Sequence, residues 1–111
     1  MTIIMVMSFP YRLVYAPQVK KHLKAIEPKY YSLIRNKIET QLKLEPTVET
    51  RNRKPLRQRA DFGGEWELRF GPNNRFRVFY GIDIEHHGVL ILAIGVKEEN
   101  RLLIGGEEIE L

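Results

Sequence analysis

Charged and apolar side chains alternate from residue 65 to residue 82, and the charged ones include the types that hold phosphate. Glu65-Trp66-Glu67-Leu68-Arg69-Phe70 is followed, after Gly71-Pro72-Asn73-Asn74, by Arg75-Phe76-Arg77-Val78-Phe79-Tyr80. Side chains on a strand alternate between its faces. One face therefore collects Glu65, Glu67, Arg69, Arg75, Arg77 and Phe79, and the other Trp66, Leu68, Phe70, Phe76, Val78, Tyr80 and Ile82. A third run over 89–96 adds Leu90, Leu92, Ile94 and Val96 to the apolar set, and Val89, Ile91, Ala93, Gly95 and then Lys97 to the charged one. In an antiparallel meander the end of the first run, the start of the second and the end of the third lie side by side. Arg69, Arg77 and Lys97 are thus expected at one end of the charged face, beside the small residues Ala93 and Gly95. Cations around a small-residue hollow can cradle a phosphate and stabilise charge developing on it, and Phe79 offers a ring on which a base can stack. The competing expectation is that Arg69 and Arg77 pair with Glu65 and Glu67 across the sheet, as opposite charges on facing strands commonly do.

A second cationic feature precedes these strands. Residues 51–59 read Arg-Asn-Arg-Lys-Pro-Leu-Arg-Gln-Arg, with Arg51, Arg53, Lys54, Arg57 and Arg59 making five basic side chains in nine positions. Residues 1–60 hold 13 Lys and Arg against 4 Asp and Glu, whereas residues 61–111 hold 5 against 10. The net +4 therefore hides a dipolar chain whose basic segment is suited to phosphate backbones, where neutralisation releases counterions. The acidic tail after residue 97 could fold back over the cationic hollow by opposite charge. His86 and His87 fall in the turn at the far end of the strands, about 20 Å from the cluster at strand rise, and are expected to be turn residues. His22 lies among lysines and is expected on the solvated face of a helix.

The supporting elements follow from periodicity. Residues 9–15 are rich in aromatic and branched side chains and read as a first strand. Pro17 opens a helix whose apolar positions are Val19, Leu23 and Ile26, and Pro28 opens a second with Tyr31, Ile34, Ile38 and Leu42. Such closely joined helices form a hairpin, with both stripes on one surface. Strands over 65–70, 75–82 and 89–96 then make the meander. The result is a single α+β domain over 1–111, of order β-α-α-β-β-β, with the N-terminal strand and helical hairpin packed on one face of an antiparallel sheet. The chain has no cysteine, so disulfides and thiolate metal sites are excluded, and no pair of histidines stands at metal spacing. The apolar run at 2–7 is too short to span a bilayer, and a cytoplasmic protein without membrane partner, metal or small-molecule cofactor is expected.

The order of these parts, with the Arg53-Lys54-Pro55-Leu56 loop, the Trp66-Glu67-Leu68-Arg69-Phe70 strand and the Phe76-Arg77-Val78-Phe79-Tyr80 strand, resembles the RelE/ParE superfamily of bacterial toxins over residues 9–104. These are the toxin halves of type II toxin–antitoxin systems. RelE-like members cleave messenger RNA, usually in the ribosomal A site, and ParE-like members poison DNA gyrase. The resemblance implies that Arg77 contacts a scissile phosphate, that Arg69 stands where some nucleases carry a catalytic lysine, and that Lys97 fills a basic position after the last strand. It also implies an acidic, partly disordered cognate antitoxin as partner.

In its RelE-like form the resemblance implies a ribosome-dependent endoribonuclease that inhibits translation. A ribose 2′-OH would attack the adjacent phosphate without metal, with Arg77 and Arg69 clamping it. Arg51, Arg53, Lys54, Arg57, Arg59, Phe79, Lys97 and Arg101 would hold messenger or ribosomal RNA. Arginine is a poor base, so the proton would pass to Glu67 or Lys54. The chain departs from the nuclease pattern in three ways. Residues 101–104 supply neither Tyr nor His, Glu98 and Glu99 follow Lys97 directly, and Glu67 stands at a position that is basic in nucleases. A ParE-like gyrase inhibitor and a catalytically inactive antitoxin-binding module are the alternatives.

Overall fold

Pro17 and Pro28 lack the N–H that a helix's first turn cannot use, and each stands where a helical segment begins. The computed structural model describes residues 9–110, so the apolar run at 2–7 lies outside the described residues. Helix α1 spans Val19–Lys24, and a single 3-10 turn at Pro28–Tyr30 leads into α2 at Tyr31–Leu42. Val19, Ile26, Ile34, Ile38 and Leu42 are buried along one side of this hairpin. The Tyr31 hydroxyl donates to the Leu23 carbonyl oxygen at 2.7 Å and ties the two helices together.

The strands are β1 Arg12–Tyr15, β2 Arg53–Pro55, β3 Trp66–Phe70, β4 Phe76–Asp83, β5 Gly88–Glu98, β6 Arg101–Ile104 and β7 Glu107–Ile109. They form one sheet in the order β2-β3-β4-β5-β6-β7, with every neighbouring pair antiparallel. β1 pairs in parallel with the first part of β5, from Arg12 opposite Gly88 to Tyr15 opposite Ile91. The fold is thus α+β, with the helical hairpin on one face of the sheet. Three short strands, β2, β6 and β7, extend the expected meander.

Each sheet face has its own apolar cluster. On the helix side Leu68, Phe70, Phe76, Val78, Tyr80, Ile94 and Val96 meet the helical stripe. There the Tyr80 hydroxyl donates to the Pro46 carbonyl oxygen at 2.6 Å, and burial pushes its pKa up. The expected side-chain parity fails in the first half of β5. Phe79 stands opposite Ala93 but Tyr80 stands opposite Ile91, so Leu92 is an inserted residue. Such a bulge reverses the alternation beyond it. Val89 and Ile91 consequently join the helix-side core in place of Leu90 and Leu92. On the second face Phe79, Ala93 and Ile104 are buried, with Leu56, Phe62, Leu102 and Ile109 packed against them. The face expected to lie open is therefore covered by the basic loop and the β6–β7 hairpin. Gly95 is part of that cover rather than the floor of a hollow. A Cβ there would lie 2.9 Å from the Leu103 carbonyl oxygen, so β6 can approach only a glycine.

β1 and β6 pair with different parts of β5, and α1 serves the stretch between them. Gln18 Nε2 donates to the Leu92 carbonyl oxygen at 3.1 Å, and the Ile94 N–H donates to His22 Nδ1 at 3.3 Å. His22 is therefore half-buried and structural, not solvated as expected. Its pKa is lowered, chiefly by burial and then by the Lys21 charge. An Nδ1 that accepts a hydrogen bond must be unprotonated. The unfolded chain thus binds this proton more tightly than the folded one. Stability from His22 is complete above the unfolded value of about 6.5 and is lost as pH falls through the lower folded value. Denaturant midpoints measured from pH 7.5 down to pH 5 should fall for the wild type, and less steeply for His22→Asn.

Candidate functional site

β3 and β4 lie side by side with Arg69 directly opposite Arg77 and Glu67 opposite Phe79. Two guanidiniums in register repel each other unless a carboxylate intervenes, and Glu67 does so. Arg69 Nε donates to Glu67 Oε1 at 2.5 Å, and Arg77 Nη1 donates to Glu67 Oε2 at 3.3 Å. Glu67 is only 4% exposed and Arg77 7%. Arg77 Nε also donates to the Asn74 carbonyl oxygen at 3.0 Å, in a turn where Asn73 and Asn74 both adopt positive φ. Asparagine tolerates that conformation better than most residues. The Arg77 pKa is lowered, chiefly by burial; Glu67 opposes this and Arg69 adds to it. An arginine starts so far above neutrality that Arg77 stays cationic.

Arg69, Arg77 and Lys97 line one cleft of about 620 Å³, together with Glu67, Asn100 and Glu108. Lys97 is exposed on its rim. Lys54, the partner of Glu67 across β2 and β3, is exposed on the same face. Arg57 and Arg59 border an adjoining cleft of about 420 Å³ with Asp61 and Glu110. Arg51 is exposed but borders neither cleft. Among the described residues no group of three potential metal ligands comes together.

Four expectations need correction. Phe79 is fully buried under Phe62, whose ring meets it edge-on at 5.4 Å between centroids, so no base can stack on it. Arg53 is 6% exposed; it donates through Nη1 to the Gln41 carbonyl oxygen at 2.5 Å and lies 3.8 Å from Glu45. It clasps the C-terminal end of α2, where backbone carbonyls favour a cation, and is not available to RNA. Arg101 stands opposite Glu98, so strand alternation turns it away from the cleft that Leu102 faces. Glu67 is buried with both oxygens engaged by guanidiniums, not the free carboxylate on an open face that was expected. His86 and His87 lie in the β4–β5 turn as expected. His86 pairs with Asp83 at 2.9 Å, and His87 stacks on Tyr11.

The sequence pattern of the ParE toxin of type II toxin–antitoxin systems matches residues 11–101. The chain belongs to the ParE toxin family. Among solved structures it is similar to a chain of the toxin–antitoxin complex RelBE2 from Mycobacterium tuberculosis, with a TM-score of 0.65 and 27% identity, covering 80% of this chain and 93% of that one. No curated protein matches it.

On this ParE-family chain the matched span ends at Arg101, before most of the β6–β7 hairpin that closes the second face. The hairpin brings Leu102, Glu108, Ile109 and Glu110 to the cleft wall. Residue periodicity could not place them. The one available signal was the alternation of acids with Ile109 after the Gly105-Gly106 turn.

Glu67 is the single carboxylate between two guanidiniums, so its loss should be felt first at the buried one. Glu67→Gln leaves Arg77 without its counter-charge and should cost about 3 kcal/mol in denaturant unfolding. Arg69→Ala removes a side chain 39% exposed, where water screens the pair, and should cost about 1 kcal/mol or less.

Proposed function

We propose that this chain is the toxin half of a toxin–antitoxin pair and arrests growth by binding a protein target, DNA gyrase as for ParE-like members, rather than by cutting messenger RNA. The observation that carries this reading is the occupancy of Glu67, whose two oxygens are both taken by Arg69 and Arg77. Attack of a ribose 2′-OH on the adjacent phosphate, with the 5′-oxygen leaving, needs an acceptor for the 2′-OH proton. Arginine cannot serve near neutral pH, and Phe79, the ring that would have held a base, is buried. Residues 101–104 add neither tyrosine nor histidine.

The second reading, ribosome-dependent cleavage, is favoured by one specific feature. Lys54, Arg69 and Lys97 stay accessible on the cleft side, where cations can hold a phosphate and the charge that develops on it. The partner common to both readings is an acidic antitoxin. The similar solved chain comes from a toxin–antitoxin complex, and exposed Arg51, Lys54, Arg57 and Arg59 suit an acidic segment that folds on binding.

Expression in growing cells, followed by short pulses of labelled thymidine, uridine and methionine, separates the readings. Thymidine incorporation should fall first, and the purified protein should inhibit supercoiling by purified gyrase. A fall in methionine incorporation ahead of thymidine, with gyrase unaffected, would favour the nuclease.

A further inference from the structure

Strand β5 is longer than its outer neighbours cover. β1 pairs with 88–91 and β6 with 95–98, so the outward backbone groups of 92–94 meet neither strand. Helix α1 fills that gap with two side chains one turn apart, Gln18 on the Leu92 carbonyl oxygen and His22 on the Ile94 N–H. The glutamine link does not depend on pH. The histidine link exists only while Nδ1 keeps its lone pair, which puts the neutral ring's proton on Nε2. α1 has six residues and no side-chain cap, too little to stand alone, so these links and the burial of Val19, Leu23 and Ile26 hold it.

His22 also borders a cavity of about 170 Å³ between α1, the Pro28–Tyr30 turn, β5, β6 and the Gly105-Gly106 turn. Several charged or titratable groups face it there. Lys21 acts from its own helix, Glu27 and Tyr30 from the segment that follows, Arg75 from ahead of β4 and Glu98 from the end of β5. The β6 side contributes Leu103 and the two glycines, and a Cβ on Gly105 would lie 3.4 Å from His22 Cδ2. Both carboxylates are held at long range, Glu98 at 3.6 Å from Arg75 and Glu27 at 3.5 Å from Lys29. The ring thus has one partner suited to its neutral form and two suited to its cation.

We propose that His22 is a proton-operated latch between α1 and the edge of β5. Neutral, it holds the Ile94 N–H through Nδ1. With a proton on Nδ1 it has no acceptor to offer, releases that N–H and turns into the cavity toward Glu27 and Glu98. α1 then keeps only the Gln18 link, and the edge at 92–94 opens between β1 and β6. Burial first and then Lys21 disfavour the charged ring, so the latch is closed at neutral pH and opens below the ordinary histidine value of about 6.5. The device does not depend on which target the toxin poisons.

The test is NMR on the isotope-labelled full chain between pH 7.5 and pH 5. At pH 7.5 the His22 ring nitrogens should report a proton on Nε2 and none on Nδ1. Protection of the Ile94 amide against hydrogen exchange, corrected for the intrinsic effect of pH, should fall about ten-fold or more by pH 5, and that of Val78 in central β4 less than about two-fold. His22→Asn sets an amide oxygen near the place of Nδ1 and cannot titrate, so its Ile94 protection should not follow pH. Glu27→Gln/Glu98→Gln removes the carboxylates that receive the charged ring and should move the transition down by about half a pH unit. Ile94 protection that holds steady to pH 5 overturns the proposal. So does a fall that Val78 shares in full, which is global unfolding, or one that His22→Asn reproduces.

Discussion

Strand β4 runs through the middle of the sheet with both faces covered, and every residue from Phe76 to Gly81 is buried. That constraint governs everything placed on it. An arginine there has little access to bulk water, and an unpaired buried guanidinium is costly. Arg77 must find its counter-charge inside the protein, and β3 supplies Glu67 beside it. Once Glu67 is committed to two guanidiniums, the cluster keeps one net positive charge, with a partly accessible edge at Arg69. The same double burial sends Phe79 into a second core, which the basic loop and the C-terminal hairpin must complete.

The basic loop shows how one run of charge divides into different tasks. Arg53 points to the helix side because it stands opposite Leu68, and there it caps the carbonyl end of α2. Lys54, one residue later and opposite Glu67, points to the cleft side. Leu56 leaves the strand and packs into the second core, which carries Arg57 and Arg59 to the adjoining cleft. A composition of five cations in nine residues thus resolves into one clasp and four surface charges.

Much of this arrangement was readable from the residues alone. Alternation along 65–70 and 75–82 located the two central strands and placed Arg69, Arg77 and Lys97 at one end of one face. Proline positions and the Ile34, Ile38, Leu42 spacing located the helical hairpin. What escaped has definite causes. The run from Val89 to Val96 is apolar on both parities, so nothing in it marks the bulge at Leu92. β2 and β7 have three residues each and β6 four, too short to show a period. Their partners set them, not their own pattern. The burial of Phe79 depends on Leu56, Phe62 and Ile109, which come from a loop and a tail whose approach no local signal announces.

The central proposal is that Glu67 and the two arginines hold one another in place as a structural unit and are not a cutting centre. Primer extension on ribosome-bound message, after expression of wild type and Arg77→Ala at matched levels of folded protein, tests it most directly. The account predicts that neither protein adds cuts to the vector control. Codon-phased cuts made by wild type and lost in Arg77→Ala would contradict it.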